Sequence, residues 1–528
     1  MSGQSTKREA RRAVSAAPTL RLPTRHRLAA LAALAGALAC SSMPAAQTLP
    51  AEEGPHEATA TPPATREAPP ASGPARDIAF PPIARSELAN GLELNVVRWE
   101  QLPVVYLRLV IESGAAADPA NLQGLSSLVA DMLKEGTRRQ TSAELAERIE
   151  FLGADLSTGA DQETVSLVFR ALSEHLDEAM DILAEVATQP AFASAELAKL
   201  KRREEDRLAL LAKQPFFLAR RALYAGLYGD HPYGRIETTP ATVERVRRTD
   251  LQRWHRTYFV PANAHLVAVG AVTPEAVESA AERAFGRWRG RAPAGRERGA
   301  PPERSTRTIT VVDRPGSVQS VIVIGNLAIE RGDEDYVPLM VANQVLGGSA
   351  ASRLFMDLRE RRSLTYGAYS VVGERVDVGP FLAYAQVRTE VTAEAMRAFF
   401  ENLDAITRET ASDEELANAH RYLSDSFPLQ IDTPGKIANL VSELRVFGLS
   451  DDYWDGFRTQ IRQVSAPEAL AAARAHMRPN EALVVVVGEA AQIAESLTAY
   501  GRVAIVDGEG NVTLELAAAN DIVNEATD

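Results

Sequence analysis

Apolar positions along the chain alternate between two periods, and they do so twice. The segments "LELNVVRWEQLPVVYLRLVI" (92–111) and "TITVVDRPGSVQSVIVIGNLAI" (308–329) run apolar or alternate with period two, which predicts strands. Each is followed by a three-to-four-residue apolar repeat that predicts helices: "LQGLSSLVADMLKEG" (122–136) and "YVPLMVANQVLGGSAASRLFMDLRERR" (336–362). Alternating segments return at 154–172 and 365–387, then long helical stretches. Both halves close on a helix that runs through a Pro and an Asn into a Val-rich strand ending in Gly, "LQRWHRTYFVPANAHLVAVGAV" and "LAAARAHMRPNEALVVVVGEA". Strands grouped with strands and helices with helices predict an α+β class. The expectation is two homologous halves, each an antiparallel-leaning sheet backed by helices.

Between the halves, "RGRAPAGRERGAPPERSTR" is poor in large apolar residues and marks a break. The resulting division is a signal segment 1–46, a Pro/Ala-rich tether 47–79, a first domain 80–290, a linker 291–307, a second domain 308–506 and an acidic tail 507–528. The tether lacks the large side chains needed to bury a core. At the N-terminus, a twelve-residue apolar stretch (28–39) follows "RLPTRHR". It is too short to span a bilayer and fits the apolar region of an export signal. Export to the periplasm is therefore expected.

Charge and cysteine content narrow the partners. The 528 residues carry a net charge of −13, and residues 1–46 hold seven Lys/Arg against one Glu, which leaves the remainder at −19. An acidic body argues against nucleic acid or an anionic membrane surface as the main partner. Cys40 is the one cysteine, so an intrachain disulfide or cysteine metal cluster is excluded. Its place at the end of the apolar stretch resembles a lipoprotein acceptor, although "ALAC" lacks the usual leucine. Cleavage near "MPAAQ" without lipidation is the competing route. Membrane attachment is expected only through such an anchor.

Four separated motifs, "GLSSLVADMLKEGT" (124–137), "LYGDHPYGR" (227–235), "YFVPANAHLVAVG" (258–270) and "SRLFMDLRERRSLTYGAYS" (352–370), resemble the pitrilysin/insulinase superfamily of zinc peptidases over roughly residues 80–506. The similarity lies nearest the bacterial two-chain members and mitochondrial processing peptidase. Active members carry H-x-x-E-H, which sets two histidines on one helix face for zinc and a Glu beside them as base. The resemblance places Ser127, Ala130 and Asp131 at these positions, and Arg207 at the third ligand, aligned through Pro215 and His231. Glu204 and Glu205 are expected to point elsewhere. A catalytic zinc needs three protein ligands, and alanine has no proton to transfer. No metal is therefore expected in this chain, and an Asp131–Arg207 ion pair is expected in the zinc's place.

The second half differs. The resemblance implies that Arg359 and Tyr366, seven positions apart, hold the substrate backbone and steady the oxyanion. A fixed cation and a phenol are good donors to developing negative charge. Arg361 and Arg362 are expected to be solvated neighbours. Gly347 and Gly348 are expected to form a flexible turn like the glycine-rich loop of non-catalytic subunits. His175, His255, His265, His420 and His476 lack ligand spacing, and His231 is expected to shape its Pro/Gly turn. "GLSSL" lacks the G-x-S-x-G elbow of a serine hydrolase.

A lost metal site beside a retained clamp implies the non-catalytic, substrate-binding subunit of a two-chain zinc peptidase of the envelope. This chain would bind no cofactor. Its partner, in a heterodimer or dimer of heterodimers, would carry H-x-x-E-H and the zinc and share a peptide substrate. The alternatives are a peptide-binding or chaperone-like protein, or a structural scaffold of an envelope complex.

Overall fold

The computed structural model of the chain describes residues 78–293 and 298–519. The expected signal segment, Cys40 and all but the end of the expected tether lie outside the described residues. Among the described residues, no helix is long and apolar enough to cross a membrane.

Two mixed sheets organise the molecule. The first contains β1 (Ala84–Glu87), β2 (Glu93–Arg98), β3 (Val104–Ile111), β4 (Asp155–Ala160), β5 (Val165–Leu172) and β6 (Ala264–Gly270), in the order β1-β2-β6-β3-β5-β4. The second contains β7 (Thr308–Asp313), β8 (Gln319–Ile329), β9 (Thr365–Val372), β10 (Gly379–Arg388), β11 (Leu483–Gly488), β12 (Arg502–Val506) and β13 (Val512–Leu516). Its order is β13-β12-β7-β11-β8-β10-β9. Without the terminal additions, β2-β6-β3-β5-β4 repeats as β7-β11-β8-β10-β9. Each repeat holds one parallel pair, β2·β6 or β7·β11, among antiparallel neighbours. The duplicated α+β architecture matches the expectation from the sequence.

The helices repeat in the same way. The first half supplies α1 (Leu125–Leu133), α2 (Leu176–Thr188), α3 (Ser194–Leu211) and α4 (Pro215–Tyr228). The second supplies α5 (Tyr336–Leu346), α6 (Thr392–Arg408), α7 (Asp413–Ser426) and α8 (Pro434–Val446). Proline opens both α4 and α8, where its missing N–H is not needed. Just past the end of each stands a glycine at positive φ, Gly229 at 54° and Gly448 at 64°.

Helices α4 and α8 are exchanged between the halves. Helix α4 packs on the second sheet, where Leu223, Tyr224 and Leu227 share a core with Val323, Leu483 and Val485. The fit is close: a Cβ on Gly325 of β8 would meet Leu223 Cδ2 at 3.2 Å, and one on Gly226 would meet Leu483 Cδ2 at 2.5 Å. Helix α8 in turn covers β3 and β6, and a Cβ on Gly435 would lie 3.1 Å from the Tyr106 ring. Val97, Val267 and Val269 of the first sheet accordingly join the second half's core. The expectation that helices back each sheet holds, and the exchange adds which half supplies them. Each sheet is covered on one face by its own helices and on the other by a helix of the opposite half. Strands β6 and β11 are buried at every position, which is why they read as unbroken apolar runs.

A polar hub ties the same junction. Arg298, in the expected linker, donates to Asp377 at 3.0 Å and to the Tyr233 hydroxyl at 2.7 Å, and pairs with Glu163 at 3.2 Å. Tyr233 also donates to Glu163, and Tyr228 donates to the Val378 carbonyl at 2.9 Å. His231 is buried and accepts from the Tyr233 N–H through Nδ1, shaping its turn as expected. Arg298 thus straps the two halves together. The expected acidic tail is also corrected: residues 512–516 alternate and pair with β12 as the edge strand β13.

Leu223 is fully buried against the opposite half's sheet. Leu223→Ala should lower the unfolding free energy by about 2–5 kcal/mol, because the rigid strand beneath cannot fill the void. Denaturant unfolding measures the loss; a change within error would mean that α4 contributes little to the junction.

Candidate functional site

Helix α1 begins where Gly124, at φ 83°, turns the chain under Thr238. Its first turn is capped by Asp118, which is fully buried and accepts from the N–H groups of Gly124 (2.9 Å) and Ser126 (3.0 Å) and from the Ser126 hydroxyl (3.1 Å). Burial pushes the Asp118 carboxyl up to about 7 against these donors. Leu128, Val129, Ala130 and Met132 face the core. Ser127 is exposed, Ala130 is buried and Asp131 is half-buried. Burial raises the pKa of Asp131, and the nearby cations Lys134, Arg203 and Arg207 oppose that shift.

Helix α3 runs past α1 and brings Arg207 to this region, as expected. The pairing differs from the expectation. Arg207 forks onto Glu204 at 2.5 and 2.8 Å and reaches Glu237, in the segment after the "HPYGR" turn, at 2.7 and 3.0 Å. No ion pair joins Arg207 to Asp131 among the described residues. Glu204, expected to point away, is buried and close enough to Asp131 to raise its pKa. The reason is helical spacing: Glu204 and Arg207 are three apart and share a face. The two glutamates hold the Arg207 guanidinium protonated beyond its ordinary range, Glu204 contributing more than Glu237.

These residues do not fit zinc. Asp131, Glu204 and Glu237 are carboxylates, but a guanidinium already binds two of them. Among the described residues, no group of three His, Cys, Asp or Glu side chains is arranged to hold a metal. Three of the other histidines are held by hydrogen bonds. His265 Nδ1 bonds Glu112 at 3.0 Å, His476 Nε2 bonds Asp335 at 3.0 Å, and His255 Nε2 lies 2.8 Å from the Ala187 carbonyl.

The second half brings Arg359 and Tyr366 together. Met356–Arg361 form a π-helical turn, and β9 begins at Thr365. Arg359 Nη1 donates to the Tyr366 carbonyl at 2.5 Å, and its guanidinium lies 5.1 Å from the Phe355 ring centroid. The Tyr366 side chain is 88 % exposed at the start of an edge strand. Both groups can therefore reach a molecule outside the chain.

Two neighbours depart from expectation. Arg362 is not a free solvated group: it pairs with buried Asp357 at 3.0 Å and with Glu401 at 2.5 Å. Arg361 is mostly solvated, with 70 % of its side chain exposed, and it also pairs with Asp357 at 3.5 Å. Gly347 and Gly348 are packed rather than flexible. A Cβ on Gly347 would meet the Ser370 N at 2.4 Å, and one on Gly348 would meet the Gln344 Cα at 2.8 Å. Ser370 N donates to the Gly347 carbonyl at 2.9 Å, so the pair lets α5 dock against β9.

The fold and both sites now meet what known proteins show. Residues 97–241 match the family model for insulinase (peptidase family M16), and residues 245–423 match the model described as the peptidase M16 inactive domain. The chain belongs to this pitrilysin/insulinase peptidase family, as a member of its non-catalytic type. It is 25% identical over 353 residues to the uncharacterized zinc protease YmxG of Bacillus subtilis, covering 66% of this chain and 85% of that protein. An uncharacterized zinc protease of Mycobacterium tuberculosis is 26% identical over 397 residues, covering 74% of this chain and 90% of that one. Among solved structures, a peptidase M16 inactive domain from Pseudomonas fluorescens superposes with a TM-score of 0.72 at 26% identity, covering 77% of this chain and 98% of that one. A protease from Helicobacter pylori shares the fold, also at TM-score 0.72, with 17% identity and coverage of 77% and 99%.

With Arg207 bound to two of the three carboxylates, purified protein should hold no stoichiometric zinc. Elemental analysis checks this; about one zinc per chain, removable by chelator with loss of a peptidase activity, would overturn it.

Proposed function

We propose that this chain is the non-catalytic, substrate-binding subunit of a two-chain zinc peptidase in the bacterial envelope. The observation that carries the reading is an asymmetry. The first half's metal positions hold Ser127, Ala130, Asp131 and a doubly paired Arg207, whereas the second half presents Arg359 and an 88 % exposed Tyr366 outward. A homologous partner with H-x-x-E-H would hold the zinc and supply the hydrolytic chemistry. This chain's share is binding and orientation. The Arg359 guanidinium holds a peptide carbonyl, and the Tyr366 hydroxyl donates to the oxygen that gains negative charge. Such donors act mainly on the charged intermediate, where preorganised hydrogen bonds are worth most. The similarity to zinc proteases supports the substrate class.

The test is co-purification with an H-x-x-E-H chain, followed by peptide cleavage. Arg359→Ala or Tyr366→Phe should lower kcat/KM by about 10²-fold or more while the complex stays assembled, as for a lost oxyanion donor. Full activity of the double variant in an intact complex would remove the shared-site mechanism and leave a scaffold or chaperone role. Address is tested separately. The wild type should fractionate with the envelope, and a cytoplasmic location would end the export reading. Release of Cys40→Ser from membranes that retain the wild type would assign lipidation to Cys40; no change would assign ordinary cleavage.

A further inference from the structure

A small pocket of about 100 Å³ opens on the first half between the turn at Arg138, the segment 190–192 and the helix Arg248–Tyr258. Three arginines, Arg138, Arg248 and Arg256, are among the residues that line it, and no Asp or Glu is. In a chain of net charge −13, composition does not account for this. Several arginines elsewhere on the same half are matched: Arg170 pairs with Asp155, Arg253 with Asp250 and Arg283 with Asp177. Neither Arg138 nor Arg256 has a carboxylate partner among the described residues.

Arg248 is held in place without being neutralised. Its Nε donates to the Phe192 carbonyl at 2.7 Å and its Nη2 to the Ala191 carbonyl at 3.0 Å. Phe192 itself sits at φ 45°, a left-handed conformation that is unfavourable for a non-glycine residue. The fourth polar wall is His255, which stacks on Phe259 at 4.4 Å between ring centroids and bonds the Ala187 carbonyl. Burial, and then the positive charge of Arg138 and Arg256, lower its pKa to about 4, so it adds no charge at neutral pH.

Three permanent like charges around one small space repel, and a bound anion relieves that repulsion. Planar guanidinium forks match the oxygens of a tetrahedral oxyanion, which they bind through paired charge-assisted hydrogen bonds. The volume suits such a group with a few waters, each needing roughly 10–15 Å³ on this measure. A larger space lies beside the pocket. Arg139 and Gln189, next in sequence to Arg138 and Pro190, line a groove of about 1060 Å³ whose wall carries Arg283, Arg287 and Trp288 as well as the carboxylates Asp181, Glu185 and Glu282. That is the size of a site for an organic ligand.

We infer that the Arg138/Arg248/Arg256 pocket binds a phosphate group, and that the adjoining groove takes the body of an organic phosphate ester. The inference is independent of the Arg359/Tyr366 clamp.

The full chain can be titrated calorimetrically with inorganic phosphate and with phenyl phosphate, at an ionic strength held constant with sodium chloride. Thermal unfolding in the same solutions supplies a second readout. Phosphate should bind and raise Tm where chloride does not, and the Arg138→Gln, Arg256→Gln double variant should weaken phosphate binding by at least about tenfold. These are surface residues, and each variant is read against its own chloride control, so a change in basal stability does not mask the result. Phenyl phosphate should bind more tightly than phosphate, and Arg287→Gln should weaken phenyl phosphate alone. An equal response to phosphate and chloride, or unchanged phosphate binding in the double variant, would overturn the phosphate site. Equal affinity for the two phosphates would overturn the groove's share and leave free phosphate as the ligand.

Discussion

The structure depends on one constraint: β6 and β11 must be covered on both faces, and neither half can cover its own. Each fully buried Leu or Val at these faces is worth about 1.5–3 kcal/mol relative to exposure, so withdrawing α4 or α8 would expose a whole sheet face. Leu223 against Gly325 and Leu483 against Gly226 give the exchange a fixed register rather than a general apolar contact. The halves therefore form one cooperative body. The polar hub of Arg298, Glu163, Tyr233 and Asp377 sits at the same junction and links the halves through hydrogen bonds and ion pairs.

That constraint explains how a peptidase fold stands without its metal site. Helix α1 contributes Leu128, Val129, Ala130 and Met132 to a continuous core, and its N-terminus is satisfied by Asp118. None of this needs a cation. What would need one is the group of carboxylates between α1, α3 and the segment holding Glu237. Arg207 supplies the charge from within the chain, bidentate to Glu204 and shared with Glu237. A guanidinium so bound satisfies both carboxylates, whereas removing it would strand buried Glu204 without its partner.

Much of this was legible in the sequence. The doubled strand and helix pattern gave the duplicated α+β fold. The spacing of Arg359 and Tyr366 was also readable, and the structure joins them through a carbonyl. The helix exchange was not seen, because periodicity reports that a face is buried but not what buries it. A signal did exist in the matching Pro215…Gly229 and Pro434…Gly448, each pair bounding one helix. Glu204 was misjudged because a third-ligand alignment fixes one residue and ignores its neighbour one turn away. The glycine pair was misread because glycine marks close approach as readily as freedom, and here it admits Ser370. The tail strand β13 was masked by its acidic composition, since an edge strand with exposed Val512 and Leu514 needs few apolar residues.

The clamp region holds one further argument about function, which comes from strain. Tyr366 buries little of its side chain, and Arg359 contributes an exposed hydrogen bond, so neither residue is there for the core. Yet the chain between them adopts unusual geometry. A π-helical turn widens the helix at Met356–Arg361, and Ser363 follows at φ 55°. Both features are costly relative to an ordinary helix end, and both recur where structure is held for function. The turn is kept in place from below: buried Asp357 accepts from Arg362 at 3.0 Å and from Asn402 at 2.8 Å. Gly347, packed under Ser370, anchors β9, the strand that carries Tyr366. A scaffold role would gain nothing from this arrangement, because a regular turn would connect the same helix and strand at lower cost. Stability is spent on setting a cation beside an exposed phenol, and that expense is accounted for if a ligand outside the chain meets both.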